Sequence, residues 1–456
     1  MSRPASARSI KPTWAIALAI TTITTSFLTA ACQNTSQPTA GNNTSTSSST
    51  QTTGSTPATS GSGLKIGSLL PTTGDLSSVG QPLPDAIRLL IDTVNKCGGV
   101  NNQQVTFIPE DDQTDPNAGT AGMTKLAEVD RVAGVVGSFA SSVSSAAVPV
   151  AVRNKVMFIS PGSTSPVFTE RAKKGEFQDF WARTAPPDTY QAQALAKLAS
   201  DKGFKRVSTI VINNDYGVGF EREFVQAFKK LGGTVVNEGK PTRYDPKAAT
   251  FESEAAAAFS GKPDAVVAVV YAETGSLLLK SAYEQGLSKD VQVMLTDGAY
   301  SQDFPEQVGK TSDDKFILTG AIGTVPGANG PALAEFTKMW KEKTGRGLSA
   351  YVPHAWDAAA LMVLAAEDAK LNTGEGIKSK LRDVANAPGT EVSDVCQALE
   401  LVRKGEEINY QGASGNVDID ANGDVVGSYD VWAVEPTGDL AVTGKVSPEV
   451  AVTNKK

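Results

Sequence analysis

Two serine-rich loops are the stretches whose residue types could do chemistry. Ser138-Phe139-Ala140-Ser141-Ser142 follows the apolar run Ala133 to Gly137, and Ser160-Pro161-Gly162-Ser163-Thr164-Ser165-Pro166 follows Val156 to Ile159. Hydroxyls and backbone N–H groups with no basic side chain among them can hold a carboxylate without trapping it in a salt bridge. The same residues also serve as helix caps and turn formers, and for any single serine that role is the commoner one. Catalysis has little to stand on. The chain has one histidine, His354, beside Trp356 in the helix-forming stretch Tyr351 to Asp357, and no Gly-x-Ser-x-Gly elbow occurs. Asp111, Asp112 and Asp115 lack the glycine and distal glutamate of a calcium loop and read as a loop and cap after a strand.

The elements that must position these loops alternate. Lys65 to Leu70 reads as a strand closed by Pro71, and Pro84 to Lys96 as a helix whose Ile87, Leu90, Ile91 and Val94 share one face, stopped by Gly98-Gly99. Val105 to Pro109, Ala133 to Gly137 and Val156 to Ile159 read as further strands, separated by helices at Asn117 to Val129 and Ser141 to Val152. After Pro186-Pro187 a second series begins. Strands are expected at Arg206 to Ile212, Thr234 to Glu238, Ala265 to Val270 and Val291 to Leu295, with helices at Thr189 to Lys202, Gly219 to Leu231, Phe251 to Phe259 and Gly275 to Gln285. Helices at Pro331 to Thr344 and Val352 to Lys370 follow, then β-rich sequence with the turn signal Asn422-Gly423. The pattern predicts an α/β fold of two doubly wound, Rossmann-like lobes. In such sheets ligands bind at the carboxyl ends of strands, where both serine loops fall.

The amino terminus reads as an address. Arg3, Arg8 and Lys11 precede the apolar run Trp14 to Leu28, which is too short and too Thr-interrupted to span a bilayer comfortably, and Leu28-Thr29-Ala30-Ala31-Cys32 looks like a bacterial lipobox. On that resemblance, residues 1–31 are a cleaved signal peptide and Cys32 is lipidated. An ordinary secretory signal with an incidental Cys32 is the alternative, and either reading predicts export. From Gln33 to Gly63 the chain is almost all Ser, Thr, Gly, Asn, Gln, Pro and Ala, a composition unable to offset its ordering entropy. Residues 32–63 are therefore expected to be a leash with a root-mean-square reach of roughly 30 Å. A net charge of −7 and the lack of a basic cluster with interleaved aromatics exclude a nucleic-acid partner. Cys97 and Cys396 are the two cysteines of the body. An oxidising compartment would pair them, with two buried unpaired thiols as the alternative.

The segments IGSLLPTTGDLSSVGQ, DDQTDP, GSFASSVSSAAVPVA, ISPGSTSP, NNDYGVG and YAETG, in this order from Ile66 to Gly275, resemble a type I periplasmic binding protein of the branched-chain and neutral amino-acid group, the receptor of an ABC importer. The resemblance covers Lys65 to about Glu435. It implies lobes at 64–184 with 325–427 and at 185–324 with 428–450, joined by a multi-strand hinge, and a tail at 451–456. It implies that Ser141, Gly162 and Thr164 hold an amino-acid head group, that Tyr216 and Tyr271 close over the ligand, and that Asp297 pairs with the α-ammonium. Val79 stands where branched-chain binders often carry an aromatic residue, which implies a roomier or differently shaped side-chain pocket. The implied partners are a neutral amino acid, an ABC permease and ATPase complex, and a membrane reached through the lipid anchor, with no cofactor and no metal. A pocket with one acid and no further charge favours a neutral side chain, since an unpaired buried charge is costly. Urea or a short amide on the same fold, a non-transport amino-acid sensor and a hydrolase on this scaffold are the rival readings.

Overall fold

The computed structural model describes residues 63–446. The signal peptide, Cys32, nearly all of the leash and the tail lie outside the described residues. No helix among the described residues is long and apolar enough to cross a membrane.

The first sheet is five-stranded and parallel, in the order Thr106–Asp111, Lys65–Leu70, Gly134–Gly137, Met157–Ser160, Trp181–Arg183. Its central strands are buried on both faces, as a parallel sheet covered by helices requires. One covering helix, Leu83–Lys96, packs a continuous apolar face inward. Another, Val352–Ala369, is buried on nearly every side, because it lies between that helix, the helix Gly374–Ala385 and the strands Gly134–Gly137 and Met157–Ser160.

The second sheet runs Leu440–Val446, Tyr429–Val434, Ile322–Pro326, Gln292–Leu295, Ala265–Val269, Arg206–Ile212, Thr234–Val235, with Thr242–Tyr244 also pairing on Arg206–Ile212. The two carboxyl-terminal strands are antiparallel additions to a parallel sheet. The chain passes between the lobes three times: after Trp181–Arg183, after Ile322–Pro326, and before Tyr429–Val434. This is the doubly wound, two-lobed architecture that the element order predicts, with the multi-strand hinge that the family resemblance implies.

Several local expectations change. The helix expected over Asn117 to Val129 is α-helical only at Pro116–Thr124 and continues as a wider π-turn at Lys125–Asp130. The tail of the body is less β-rich than its composition indicates, since Gly374–Ala385 and Val395–Arg403 are helices. Both carried readable caps. The Thr373 hydroxyl accepts from the Gly376 N–H and the Asp394 carboxylate from the Gln397 N–H. Cys97, at the end of Leu83–Lys96, and Cys396 in Val395–Arg403 form a disulfide with their Cα atoms 5.7 Å apart.

Candidate functional site

The second serine loop is held open from behind. Ser160 Oγ accepts from the N–H groups of Gly162 and Ser163, and Ser163 Oγ donates to Ser138 O, tying the two loops together. Arg183 is fully buried, donates to Ser163 O and Ser165 O at 3.0 Å each, and pairs with Asp424 at 2.7 Å. This cation buttresses the loop through its carbonyls. Gly162 lies so close to Phe139 that a Cβ there would stand 2.3 Å from the ring, so the approach of the two loops requires glycine. Ser141 opens the helix Ser141–Arg153, whose first N–H groups have no intrahelical acceptor, and its Oγ accepts from the Ser165 N–H at 3.3 Å. Thr164 is fully buried, and its hydroxyl has no hydrogen bond of ordinary geometry.

The second lobe brings its own set to the same place. Tyr216 is in the first turn of the helix Asp215–Lys230, capped by the Asn214 side chain, and its hydroxyl donates to Asp297 Oδ1 at 2.8 Å. Tyr271 stacks on Tyr216 with ring centroids 5.7 Å apart, and its hydroxyl accepts from Asn214 Nδ2. Asp297 follows the strand Gln292–Leu295, almost wholly buried. Tyr351 reaches it from the other side, donating from its hydroxyl to Asp297 Oδ2 at 2.6 Å. The Tyr351 ring packs edge-on against Phe139 of the first serine loop, centroids 4.7 Å apart. Ser141, Gly162, Thr164, Tyr216, Tyr271 and Asp297 thus form one buried cluster between the lobes. Val79 is buried in the apolar core one residue beyond Ser78, and its link to the cluster is indirect: the Ser78 N–H donates to Glu273, two residues past Tyr271.

Sequence reasoning missed two members. Asp188 is fully buried at the start of the helix Asp188–Asp201; its N–H donates to Thr164 O at 2.8 Å, yet neither carboxylate oxygen has a hydrogen bond of ordinary geometry. Burial and then the nearby Asp297 carboxylate push its carboxyl far above the usual range, against a weaker downward pull from the Thr164 hydroxyl. Burial also raises the Asp297 carboxyl, opposed by the Tyr351 and Tyr216 hydroxyls. Tyr351 is the other: it stands just before Val352–Ala369 with φ of 66°, a left-handed conformation rare for a bulky residue. Pro186-Pro187 ahead of Asp188 signals a helix start, but nothing local marks its burial; nothing in Ala350-Tyr351-Val352 marks the backbone turn.

His354, as expected of a packed helix residue, is buried, and burial pushes its imidazole down to about 3. Asp115 caps the helix Pro116–Thr124, Asp111 accepts from the Thr72 and Thr73 N–H groups, and Asp112 accepts from Ser138 Oγ. Among the described residues no acidic, His or Cys group is arranged to hold a metal ion.

The lobes are closed on each other. Beyond Tyr351 and Asp297, Ser145 Oγ donates to Asp215 Oδ2 at 2.5 Å, Ser77 Oγ to Glu273 at 3.0 Å, and Lys247 and Arg222 pair across the gap with Asp115 and Glu170. A groove of about 680 Å³ flanks the helix Asp215–Lys230, but its lining contains none of the clustered residues. The buried cluster is the candidate site: it offers hydroxyls and N–H groups of the serine loops, the Asp188 carboxyl beside Thr164, and the Asp297 carboxyl held between Tyr216 and Tyr351.

Known proteins share this arrangement of the chain. The chemotactic signal transduction system substrate-binding protein BasB of Halobacterium salinarum is 26% identical over 369 residues, 77% of this chain and 82% of that protein. Human metabotropic glutamate receptor 8 is 22% identical over 76% of this chain, which spans only 42% of the receptor's length. Among solved structures, the leucine-binding protein LivK of Thermotoga maritima superposes with a TM-score of 0.70 at 25% identity, covering 84% of this chain and 99% of that one. The family model for the receptor family ligand binding region matches residues 83–437, most of the described body. The match spans well over half of the chain, and the chain belongs to the receptor ligand-binding-region family, on the type I periplasmic binding fold.

Proposed function

We propose that this protein is the extracytoplasmic substrate-binding receptor of an ABC importer, capturing a neutral or branched-chain amino acid between its lobes and delivering it unchanged to a permease and ATPase complex. One observation carries the reading: Asp188 and Asp297 are buried together in the cleft, and neither carboxyl oxygen of Asp188 has a hydrogen bond of ordinary geometry. An α-ammonium group would supply the missing counter-charge, since an unpaired buried carboxylate is costly. Ser141, the Gly162 backbone and the Thr164 hydroxyl would take the carboxylate, and Tyr216 and Tyr271 would close over the ligand. Val79 would help shape the side-chain pocket. The ligand then bridges the lobes, whose division falls near residues 184, 324 and 427, and shifts the hinge equilibrium by its preference for the closed state.

Export, lipidation at Cys32 and the leash would hold the receptor on the outer face of the membrane, close to its permease, raising effective concentration without new contacts. A sensor role for the same amino-acid site is the second reading, favoured by the similarity to a chemotactic substrate-binding protein. Urea and short amides lack the ammonium that two buried acids call for. A thermal-shift screen of the mature body against the twenty amino acids, urea and short amides tests the ligand class. Stabilisation by one or more neutral amino acids is expected; stabilisation by urea or amides alone would overturn the reading.

A further inference from the structure

The three crossings between the lobes enclose a second pocket, of about 420 Å³, within the range of small-molecule sites. Thr184 and Pro186 of the first crossing, Gly327 to Pro331 of the second, and Val425 to Ser428 of the third form its walls, with the turn Ser414 to Val417 as its floor. None of the lining residues carries a formal charge. The polar groups are amides and hydroxyls, Asn329 and Asn416 among them, and the apolar ones are Val417, Val425, Val426 and two prolines. His354 also lines it, and its Nδ1 is buried with no hydrogen-bonding partner. Its imidazole is neutral across the physiological range, because burial pushes its pKa down to about 3.

Most of the wall is fixed. The Gly327 N–H donates to Ser428 O and the Asn329 N–H to Ser414 O, while the Tyr429 hydroxyl donates to Pro187 O and the Thr184 hydroxyl to His354 O, so the three crossings and the floor are bonded together. Gly415 is the exception in shape: a Cβ built there meets no atom within 4 Å, so the residue faces open space.

We propose that this hinge pocket is a second binding site, separate from the amino-acid cleft, for a small neutral molecule carrying a carboxamide and an apolar body. A charged ligand would find no counter-ion in the lining, and a pure hydrocarbon would bury the Asn329 and Asn416 amides without partners. A carboxamide offers both a donor and an acceptor, and a flat apolar body fits against Val417, Val425 and Pro186. Because its walls come from all three crossings, an occupant fits the open and closed arrangements differently and biases closure of the cleft.

Benzamide is the probe. Titrated into the full-length protein, it is expected to give saturable shifts of the Val417 and Val425 methyl resonances. Saturable shifts are also expected in Asp297→Ala, at a benzamide concentration moved by its altered closure, and they should vanish in Gly415→Leu, whose side chain enters the open space. Val426→Trp, at the exposed rim, serves the same purpose if Gly415→Leu does not fold. No saturable shift in the wild type, shifts that persist in the filled variant, or shifts lost in Asp297→Ala would each overturn the site.

Discussion

The Tyr351 hydroxyl and Asp297 Oδ2, 2.6 Å apart, join the two lobes through a buried carboxylate. The tyrosine comes from the turn before Val352–Ala369, beneath the first sheet's helices, and the aspartate from the end of a strand in the second sheet. A hydrogen bond to a charged group is worth roughly 1.5–3 kcal/mol, and this one exists only when the lobes are closed. Tyr351→Phe should therefore weaken ligand affinity by about 1–2 kcal/mol and shift the ligand-free protein toward an open form. Calorimetry and small-angle scattering read the two effects. Tighter binding in the variant would instead mean that the hydroxyl competes with the ligand for Oδ2.

Asp188 and Asp297 set a pH dependence. Both carboxyls are raised, by burial first. An ammonium group binds their ionised forms, so below the raised values binding must expel protons, and affinity should climb as pH rises through that window. For the ligand-free protein the sign is opposite: acids raised on folding hold protons that the unfolded chain releases above about 3.8, so their stability contribution falls as pH rises. Calorimetry in buffers of different ionisation enthalpy measures the proton release directly. Asp297→Ala should cost roughly 3–5 kcal/mol of binding, and Asp188→Asn should cost less on that background than alone. Full additivity would show that the two acids do not share one ammonium.

His354 makes the opposite contribution to stability. Its folded value is about 3 against an ordinary 6.5, so as pH falls below 6.5 the unfolded chain takes up a proton that the folded state refuses. Stability is lost across that window, by up to several kcal/mol in order of magnitude. Asp112 and Asp357, raised to about 6 mainly by burial, act the other way between 6 and 3.8, stabilising the fold as pH falls. His354→Phe removes the first effect and spares the second. Urea unfolding from pH 7 to pH 4 should show a shallower acid decline in the variant, and parallel curves would mean that the imidazole protonates in place.

The bond between Cys97 and Cys396 lies within one lobe, fastening Leu83–Lys96 to Val395–Arg403, and the two cysteines are 299 positions apart, with the parallel strands of the second sheet between them. Replacing both with serine should lower stability by roughly 2–5 kcal/mol, because the unfolded chain regains the freedom of the loop that the bond closes. None of the clustered cleft residues touches the bond, so affinity for the ligand should be retained. Unfolding midpoints with and without reductant, set beside binding isotherms, separate the two quantities.

Much of the fold was legible because its signals are local. Alternating strands and helices, the glycine stops and the two hydroxyl loops at strand ends are readable from neighbours a few residues apart. The helices Gly374–Ala385 and Val395–Arg403 were equally readable from the caps at Thr373 and Asp394, and were hidden by the impression of a β-rich tail. Arg183 was illegible as a buttress, because its partners Ser163, Ser165 and Asp424 lie as far as 241 positions away.

By itself the sequence determined the two-lobed α/β architecture, the serine loops and the order of motifs, since each depends on periodicity or on short-range backbone chemistry. Only the tertiary structure decided that Asp188 joins Asp297 in the cleft and that Tyr351 turns back to meet it. The reason is physical: a carboxyl's burial and the partner it lacks are set by residues remote in the chain. Likewise, a left-handed tyrosine persists only where the surrounding packing offsets its strain.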